Sequence, residues 1–501
     1  MALLDLDHGV RAHRPRVFAF DELARTTAGA LADADRPLSA FGHFALWANL
    51  GAGLSLLVVG AWLVPALSLP QAVLATVIGA ALGSALVAVA VWLGAVENRP
   101  AVVLHRGALG ESGANLYGVL AVFRHLAWGI IQLAIAAEVA AAVMSRQGLG
   151  GGRALWAVIF GALVLLMVLA GPATIVRRWL VPSAGLALLF AVVFTYSAWS
   201  DFGVPSMLTR EAAGGWPGMT GAVDIVAALA LIWLPVATDL GRLGTPRRAG
   251  IAAFTGLAGM TAWFVLLGVL FLPAVDGGDL AGFMLATPVG GLALVLLVVL
   301  ELDGAFVSLY GLASTVRGWL PKADAALPAA IGGAAVFALG AALLNPFDYG
   351  DALLLLGAAF APLLGVLLGA MLVRRWWLRA SAKTQLAPNG QAVILIGSVS
   401  PPALGGAIAW ALGFLLYNWA APLQIPAWTA AMSALFHDGL GLPFPAGIPG
   451  LSATALGFSA SFAIAAGMAL ARRRQAAPQM VRGADVGAAT TRYTTAATGP
   501  V

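Results

Sequence analysis

Residues 44–62 read FALWANLGAGLSLLVVGAW, and residues 224–242 read DIVAALALIWLPVATDLGR. Both stretches are apolar enough to lie in lipid, and both are interrupted halfway along. In the first, Asn49, Gly51, Gly53 and Ser55 gather at the midpoint. In the second, Pro235 removes a backbone donor and disturbs the turn before it. Glycines in a membrane helix have an ordinary use, which is close packing against a neighbour. They have another where the helix breaks and its freed carbonyls and N–H groups hold a substrate or ion. For Gly51 and Gly53 the residues alone leave both readings open. Interrupted segments at matching positions of two halves are the best sequence pointer to a transport site at mid-membrane.

The rest of the chain fits that setting. Of 501 residues, 61% are hydrophobic and only 10% charged, where soluble domains carry about 25% charge. A spanning helix needs about 20 apolar residues. Twelve runs qualify: 40–64, 70–96, 113–144, 153–171, 179–199, 219–240, 249–274, 285–315, 326–344, 350–373, 392–420 and 447–471. The interrupted runs are the first and sixth, which are the opening spans of the two halves if the chain is two repeats of five. The expected fold is therefore an all-α integral membrane protein with 12 transmembrane helices. Residues 1–38 are expected as a cytosolic tail, 39–200 as the first repeat, 216–380 as the second and 390–473 as the last two spans. Residues 474–501 lack apolar periodicity and are expected to be a disordered cytosolic tail.

The net charge of +5 sits outside the apolar runs. Arg99 and Arg106 follow the second span, Arg177 and Arg178 the fourth, Arg242, Arg247 and Arg248 the sixth. Arg317 and Lys322 follow the eighth, Arg374, Arg375, Arg379 and Lys383 the tenth, and Arg472, Arg473 and Arg474 the twelfth. Intervening loops are poorer in base, one running Asp276-Gly-Gly-Asp279. Positive loops stay inside, so both termini are expected in the cytoplasm, with the chain in the inner (plasma) membrane. This charge reports topology and not nucleic-acid binding. The absence of cysteine excludes disulfides and thiolate metal sites. No GxxxxGK[ST] loop, HExxH pair or GxSxG elbow occurs, which argues against an ATP-driven pump and an intramembrane hydrolase. The plan is that of a secondary transporter, not an enzyme, working as a monomer in the lipid bilayer.

The third span reads GVLAVFRHLAWGIIQLAIAAEV over residues 118–139. Arg124, Trp128 and Gln132 lie at i, i+4 and i+8 and share one face. An indole for stacking, an amide offering donor and acceptor, and a cation suit a flat polar heterocycle. The plainer reading makes Trp128 filler and ties Gln132 to a neighbouring helix. The eighth span holds VVLELDGAFVSLYG, residues 298–311. Carboxylates at membrane depth are costly and usually have a partner or a task. Glu301 and Asp303 point about 200° apart around the helix, so they cannot share one small site. Glu301 is expected to meet His125 or a substrate. Arg124 of the third span and Asp303 of the eighth lie at similar depth and are expected to pair, the guanidinium taking the place of an ion permanently or in alternation with it. The plainer alternative is an ion-pair network joining the third and eighth spans. Glu138 and Asp224, nearer the outer surface, read as structural.

Four stretches carry a resemblance. They are NLGAGLSLLVVGAWLVPALSLPQAVLATVIG (49–79), HRGALGESGA with Arg106 and Gly110, WLPVATDLGRLG with Asp239 and Arg242, and LLGAAFAPLLGVLLG with Pro362 and Gly365. Together they resemble the nucleobase:cation symporter-1 family, which includes cytosine, purine, allantoin and hydantoin permeases. The resemblance implies a LeuT-like fold of 5+5 inverted repeats plus two C-terminal helices. It also implies a planar substrate held between the first, third, sixth and eighth spans. The family's stacking Trp falls on Trp128 and its amide on Gln132. Its sixth-span aromatic falls on Ala230, with Trp233 nearby to take over, and Leu309 stands where an Asn is common. Gly51, Gly53 and Glu301 complete the expected substrate site. Sodium-coupled members use first-span carbonyls, here near Asn49, and two eighth-span hydroxyls, here replaced by Asp303 and Gly304. Asp303 would then hold Na⁺ or carry a proton. Asp239, Arg242, Pro235 and Pro362 are expected to gate or shape the helices. No cofactor is expected beyond the coupling ion. The implied function is import of a nucleobase or related heterocycle, such as cytosine, a purine or hydroxymethylpyrimidine, by Na⁺ or H⁺ symport with alternating access. Two alternatives remain: an amino-acid or amine transporter of the same fold, using free backbone N–H groups, and a non-transporting receptor or channel.

Overall fold

The computed structural model describes residues 20–27, 29–32, 36–201, 211–271, 290–320, 325–345, 349–381, 385–386, 392–393, 403–421, 423, 425–443 and 451–475. The Asp276–Asp279 loop and residues 476–501 lie outside these. Helix α1 is Phe20–Thr27. The first interrupted run is two helices, α2 (Ala40–Leu50) and α3 (Leu54–Leu63), bent by 55°. Then come α4 (Leu69–Glu97), α5 (Ala101–Arg146) and α6 (Arg153–Ala170). The fifth span starts as α7 (Pro172–Ile175), passes through a π-helical turn at Val176–Leu180 and continues as α8 (Val181–Asp201). The second interrupted run is α9 (Met219–Leu231) and α10 (Leu234–Gly241), bent by 41°. After it follow α11 (Pro246–Phe271), α12 (Gly290–Trp319), α13 (Ala326–Leu343) and α14 (Gly350–Ser381). The last helices are α15 (Ala403–Ala420), α16 (Pro426–Ser433) and α17 (Ala453–Gln475).

Among the described residues nine helices are long and apolar enough to cross a membrane, and the two bent pairs raise the number to eleven. Helix α15 is apolar but shorter, so the expected count of twelve rests on it. Three expectations shift. The eleventh run, expected over 392–420, is helical only from Ala403 among the described residues. The segment joining the second and third spans is helical from Ala101 and kinks at Gly110 (φ 74°, ψ −170°), a backbone region open to glycine. The N-terminal region is not simply a tail. Its residues 20–27, 29–32 and 36–38 lie on the ends of the spans: Arg36 donates to the carbonyls of Ala95, Arg242 and Gly244.

The packing follows a two-fold exchange. The first broken helix packs on α11, the seventh span, and the second broken helix packs on α4, the second span. Helices α5 and α12, the third and eighth spans, pack on each other, and α6 packs on α13. Exchanging span n with span n+5 maps each of these pairs onto another or onto itself, the signature of an inverted repeat. Glycine makes the close contacts. A Cβ on Gly83 or Gly94 of α4 would strike the backbone of Ala227 or Thr238 in the second broken helix. Small residues at such seams let helices approach in lipid, where no hydrophobic effect drives them together. Two bundles result, one of the first, second, sixth and seventh spans, the other of the third, fourth, eighth and ninth. Helices α14, α15 and α17 pack together beside them.

Candidate binding site between the broken helices

The two breaks meet. Trp233 occupies the gap between α9 and α10, and its indole N–H donates to the Leu50 carbonyl at the end of α2, 3.1 Å away. Pro235 opens α10, and its carbonyl accepts from the Tyr117 hydroxyl of α5 at 2.5 Å. In the other break, Gly53 faces Glu301 of α12. A Cβ there would lie 2.8 Å from Glu301 Oε1, and the Ser55 N–H donates to that same oxygen at 3.1 Å. Glu301 thus caps the N-terminus of α3, where backbone N–H groups lack helical partners. Gly51 has the other role considered for it. Its missing Cβ admits the Leu257 carbonyl of α11, 2.8 Å from where that atom would be, so Gly51 packs closely on the seventh span.

Trp128 stands over this junction. Its ring meets Tyr349 edge-on at 5.8 Å. Tyr349 in turn donates to the Ser55 carbonyl at 2.6 Å and lies 5.2 Å from the Trp62 ring. One turn along α5, Arg124 lays its guanidinium 4.7 Å over the Trp233 ring, a cation–π contact between the two bundles. Arg124 Nη1 donates to His125 Nδ1 at 2.8 Å and lies 3.4 Å from Ser308 Oγ. Because His125 Nδ1 accepts, its ring proton is assigned to Nε2. Gln132 accepts from Ser308 Oγ at 3.4 Å. Trp128, Trp233, Arg124, Glu301 and Gln132 are all buried. Several polar atoms here have no protein partner: Arg124 Nε and Nη2, His125 Nε2, Trp128 Nε1 and Glu301 Oε2. Buried polar groups are nearly always paired, so such a cluster calls for something to complete it.

Asp303 faces elsewhere. The Trp179 indole N–H donates to its Oδ1 at 2.6 Å, and Ser183 Oγ lies 3.0 Å from its Oδ2. Ser183 Oγ is also 3.1 Å from Asn49 Oδ1 and from the Leu180 carbonyl. The Asn49 amide donates to the carbonyls of Leu180 at 2.6 Å and Ala45 at 3.0 Å. The π-helical turn at Val176–Leu180 supplies Trp179 and the Leu180 carbonyl, a use such turns often have. The result is a nest of oxygens around one carboxylate where the first, fifth and eighth spans meet.

Three expectations are corrected. Arg124 and Asp303 do not pair. Among the described residues Arg124 makes no ion pair, and the α12 side chain facing it is Ser308. Depth matched, but five residues from 303 to 308 turn the helix by about 140° beyond a full circle. Gly304 is not beside the oxygen nest either, since a Cβ on it would strike the Gln132 amide. Nor does Glu301 meet His125, whose ring packs on Gly311. The plainer reading of Gln132, a bond to a neighbouring helix, holds through Ser308. Asp239 and Arg242 sit at the end of α10, 3.5 Å apart, with Arg242 Nη2 donating to the Gly29 carbonyl at 2.5 Å. They fasten the N-terminal segment. Pro362 of α14 packs on Gly413 of α15 and Gly457 of α17. The sequence reading does not single out Tyr349, Ser308, Trp179 or Ser183. A stripe of Glu301, Gly304, Ser308 and Gly311 at helical spacing marks the face of α12 that carries Ser308.

No protein-family model matches the chain, and no curated protein matches it by sequence. Solved structures do. The nucleobase-cation-symport-1 family transporter Mhp1, in a closed conformation with bromovinylhydantoin bound, superposes with a TM-score of 0.67 at 17% identity, covering 92% of this chain and 98% of its own. A Na⁺-coupled sialic acid symporter in a substrate-bound outward-open state superposes with a TM-score of 0.58 at 11% identity, covering 92% and 96%. The chain has the LeuT-type transporter fold. In that LeuT-type frame the two broken helices are the first and sixth spans, and the helix pair crossing them, α5 and α12, is the third and eighth.

Proposed function

We propose that this protein is a secondary active transporter that imports a nucleobase or related planar heterocycle by cation symport. The observation that carries this reading is the set of open polar atoms beside Trp128 and Trp233 where the two helix breaks meet. The substrate ring stacks on Trp128, one of its N–H groups donates to Glu301 Oε2, and Gln132 orients it. Asn49, Ser183 and Asp303 form the coupling site. Oxygen ligands around a carboxylate suit a hard cation such as Na⁺, and the same carboxylate can carry H⁺. Alternating access follows from rocking one bundle against the other, with Trp233, Arg124 and the Glu301–Ser55 bond spanning the seam. Ligand binding drives this only insofar as affinity differs between the two states. The chain works as a monomer in the inner membrane with both termini in the cytoplasm. Arg36, Arg242 and the N-terminal segment then close the cytoplasmic end.

The amino-acid reading has less support, because Glu301 already occupies the Ser55 N–H at the start of α3. A substrate carboxylate placed there would meet the Glu301 carboxylate. The test is a thermal-shift screen of purified protein with cytosine, uracil, purines, hydantoins and hydroxymethylpyrimidine, each with and without Na⁺. The strongest ligand is then followed into proteoliposomes under imposed Na⁺ and H⁺ gradients. Stabilisation by a ring compound and gradient-driven uptake are expected. Stabilisation by amino acids and by no ring compound overturns the reading.

A further inference from the structure

The guanidinium of Arg124 is fully buried, and one of its edges is open. Nη1 is engaged with His125 Nδ1, and the flat face is covered by Trp233. The atoms with no partner are Nε and Nη2. These two lie on the same side of the guanidinium, so their N–H bonds run parallel and form the fork that matches a carboxylate. No carboxylate of the described chain takes that fork. Glu301 is turned to Ser55 and Asp303 to Trp179 and Ser183. A buried cation whose charge no carboxylate offsets is strongly unfavourable, and a neutral acceptor on the open edge would leave that charge uncompensated.

We infer that the ring carried by this site bears an anionic, carboxylate-like edge, bound side-on by Nε–H and Nη2–H of Arg124. The inference rests on the proposed heterocycle site and narrows its substrate class to planar heterocyclic monoanions. The two ends of the ring are told apart by charge. Its N–H donors go to Glu301 Oε2, and its anionic edge goes to Arg124. Seven residues separate Glu301 from Ser308, the side chain beside Arg124, a rise of about 10 Å along α12. One ring with a substituent spans that length.

Matched pairs test this on the purified full chain: uracil against orotate, pyrrole-2-carboxamide against pyrrole-2-carboxylate, and benzoate as a carboxylate without a ring N–H. Dissociation constants come from tryptophan fluorescence at saturating Na⁺. The acid of at least one pair is expected to bind about tenfold tighter than its neutral partner or better, a difference of about 1.4 kcal/mol. In R124Q that ratio falls to near one. R124K keeps the charge without the fork and gives an intermediate ratio, and the wild-type ratio alone decides if neither variant folds. Neutral members binding as tightly as the acids in wild type overturn the anionic edge and leave the heterocycle site standing. Benzoate binding as tightly as pyrrole-2-carboxylate, and lost in R124Q, supports the anion fork while contradicting ring recognition through Glu301. Failure of every compound overturns both.

Discussion

Asp224, Glu22 and Glu301 each cap a helix N-terminus, and they differ in what they leave over. Asp224 of α9 accepts from Ser452 Oγ at 2.7 Å, from the Ala453 N–H at 2.8 Å and from the Thr454 N–H at 3.0 Å, at the start of α17. Glu22 of α1 accepts from the N–H groups of Ala173 at 2.6 Å and Thr174 at 3.1 Å, and from Thr174 Oγ1 at 2.7 Å, at the start of α7. Both use both oxygens on protein donors. Glu301 uses only Oε1, on Ser55, and leaves Oε2 open in a fully buried position. The capping chemistry is the same, but two of the caps are complete and close a seam. The third is incomplete and sits where two helices break. Saturation of hydrogen bonds, more than charge or depth, sets Glu301 apart from Asp224 and Glu22.

The comparison is broken most severely at Glu301. In Glu301→Gln the Ser55 bond survives through the amide oxygen while the charge goes. Uptake of the best ring ligand is expected to fall about 100-fold, as loss of a charge-assisted bond and its buried partner implies. Melting should change by only a few degrees, read by scanning fluorimetry. Asp303→Asn comes next. Uptake should fall about tenfold and lose its dependence on the Na⁺ or H⁺ gradient, measured by exchanging the gradients in proteoliposomes. Wild-type ion dependence in that variant removes Asp303 from the coupling site.

Asp224→Ala should reverse the pattern. Losing a helix cap costs about 1–2 kcal/mol, so the melting temperature drops while uptake per folded molecule stays at wild type. The smallest effect is expected of Glu22→Gln, which retains an acceptor for the α7 N–H groups. A melting shift near the detection limit and unchanged uptake are expected, measured alongside Asp224→Ala.

The breaks were legible in the residues. Glycines around Ala52 and a proline at 235 are local signals, and a helix answers to local signals. The stripe of Arg124, Trp128 and Gln132 was legible too, since spacing within one helix fixes a shared face. Partners across helices were not. Whether Asp303 meets Arg124 or Trp179 depends on how far α12 and the fifth span rotate about their axes. That rotation is set partly by the π-helical turn at Val176–Leu180, which no residue in VRRWL announces. Tyr349 was missed for a related reason. It lies just before α14 in sequence, and only the fold brings it to Trp128 and Ser55. The N-terminal segment read as a charged tail because it lacks an apolar run. Its hold on the bundle comes from single side chains, Glu22 and Arg36, that composition cannot distinguish from solvated ones.

The most direct measurement is a structure of the protein with its tightest ring ligand at saturation. The ring is expected to stack on Trp128 with a ring N–H within about 3.2 Å of Glu301 Oε2. A ring bound elsewhere, with Oε2 still lacking a donor and Trp128 untouched, would contradict it.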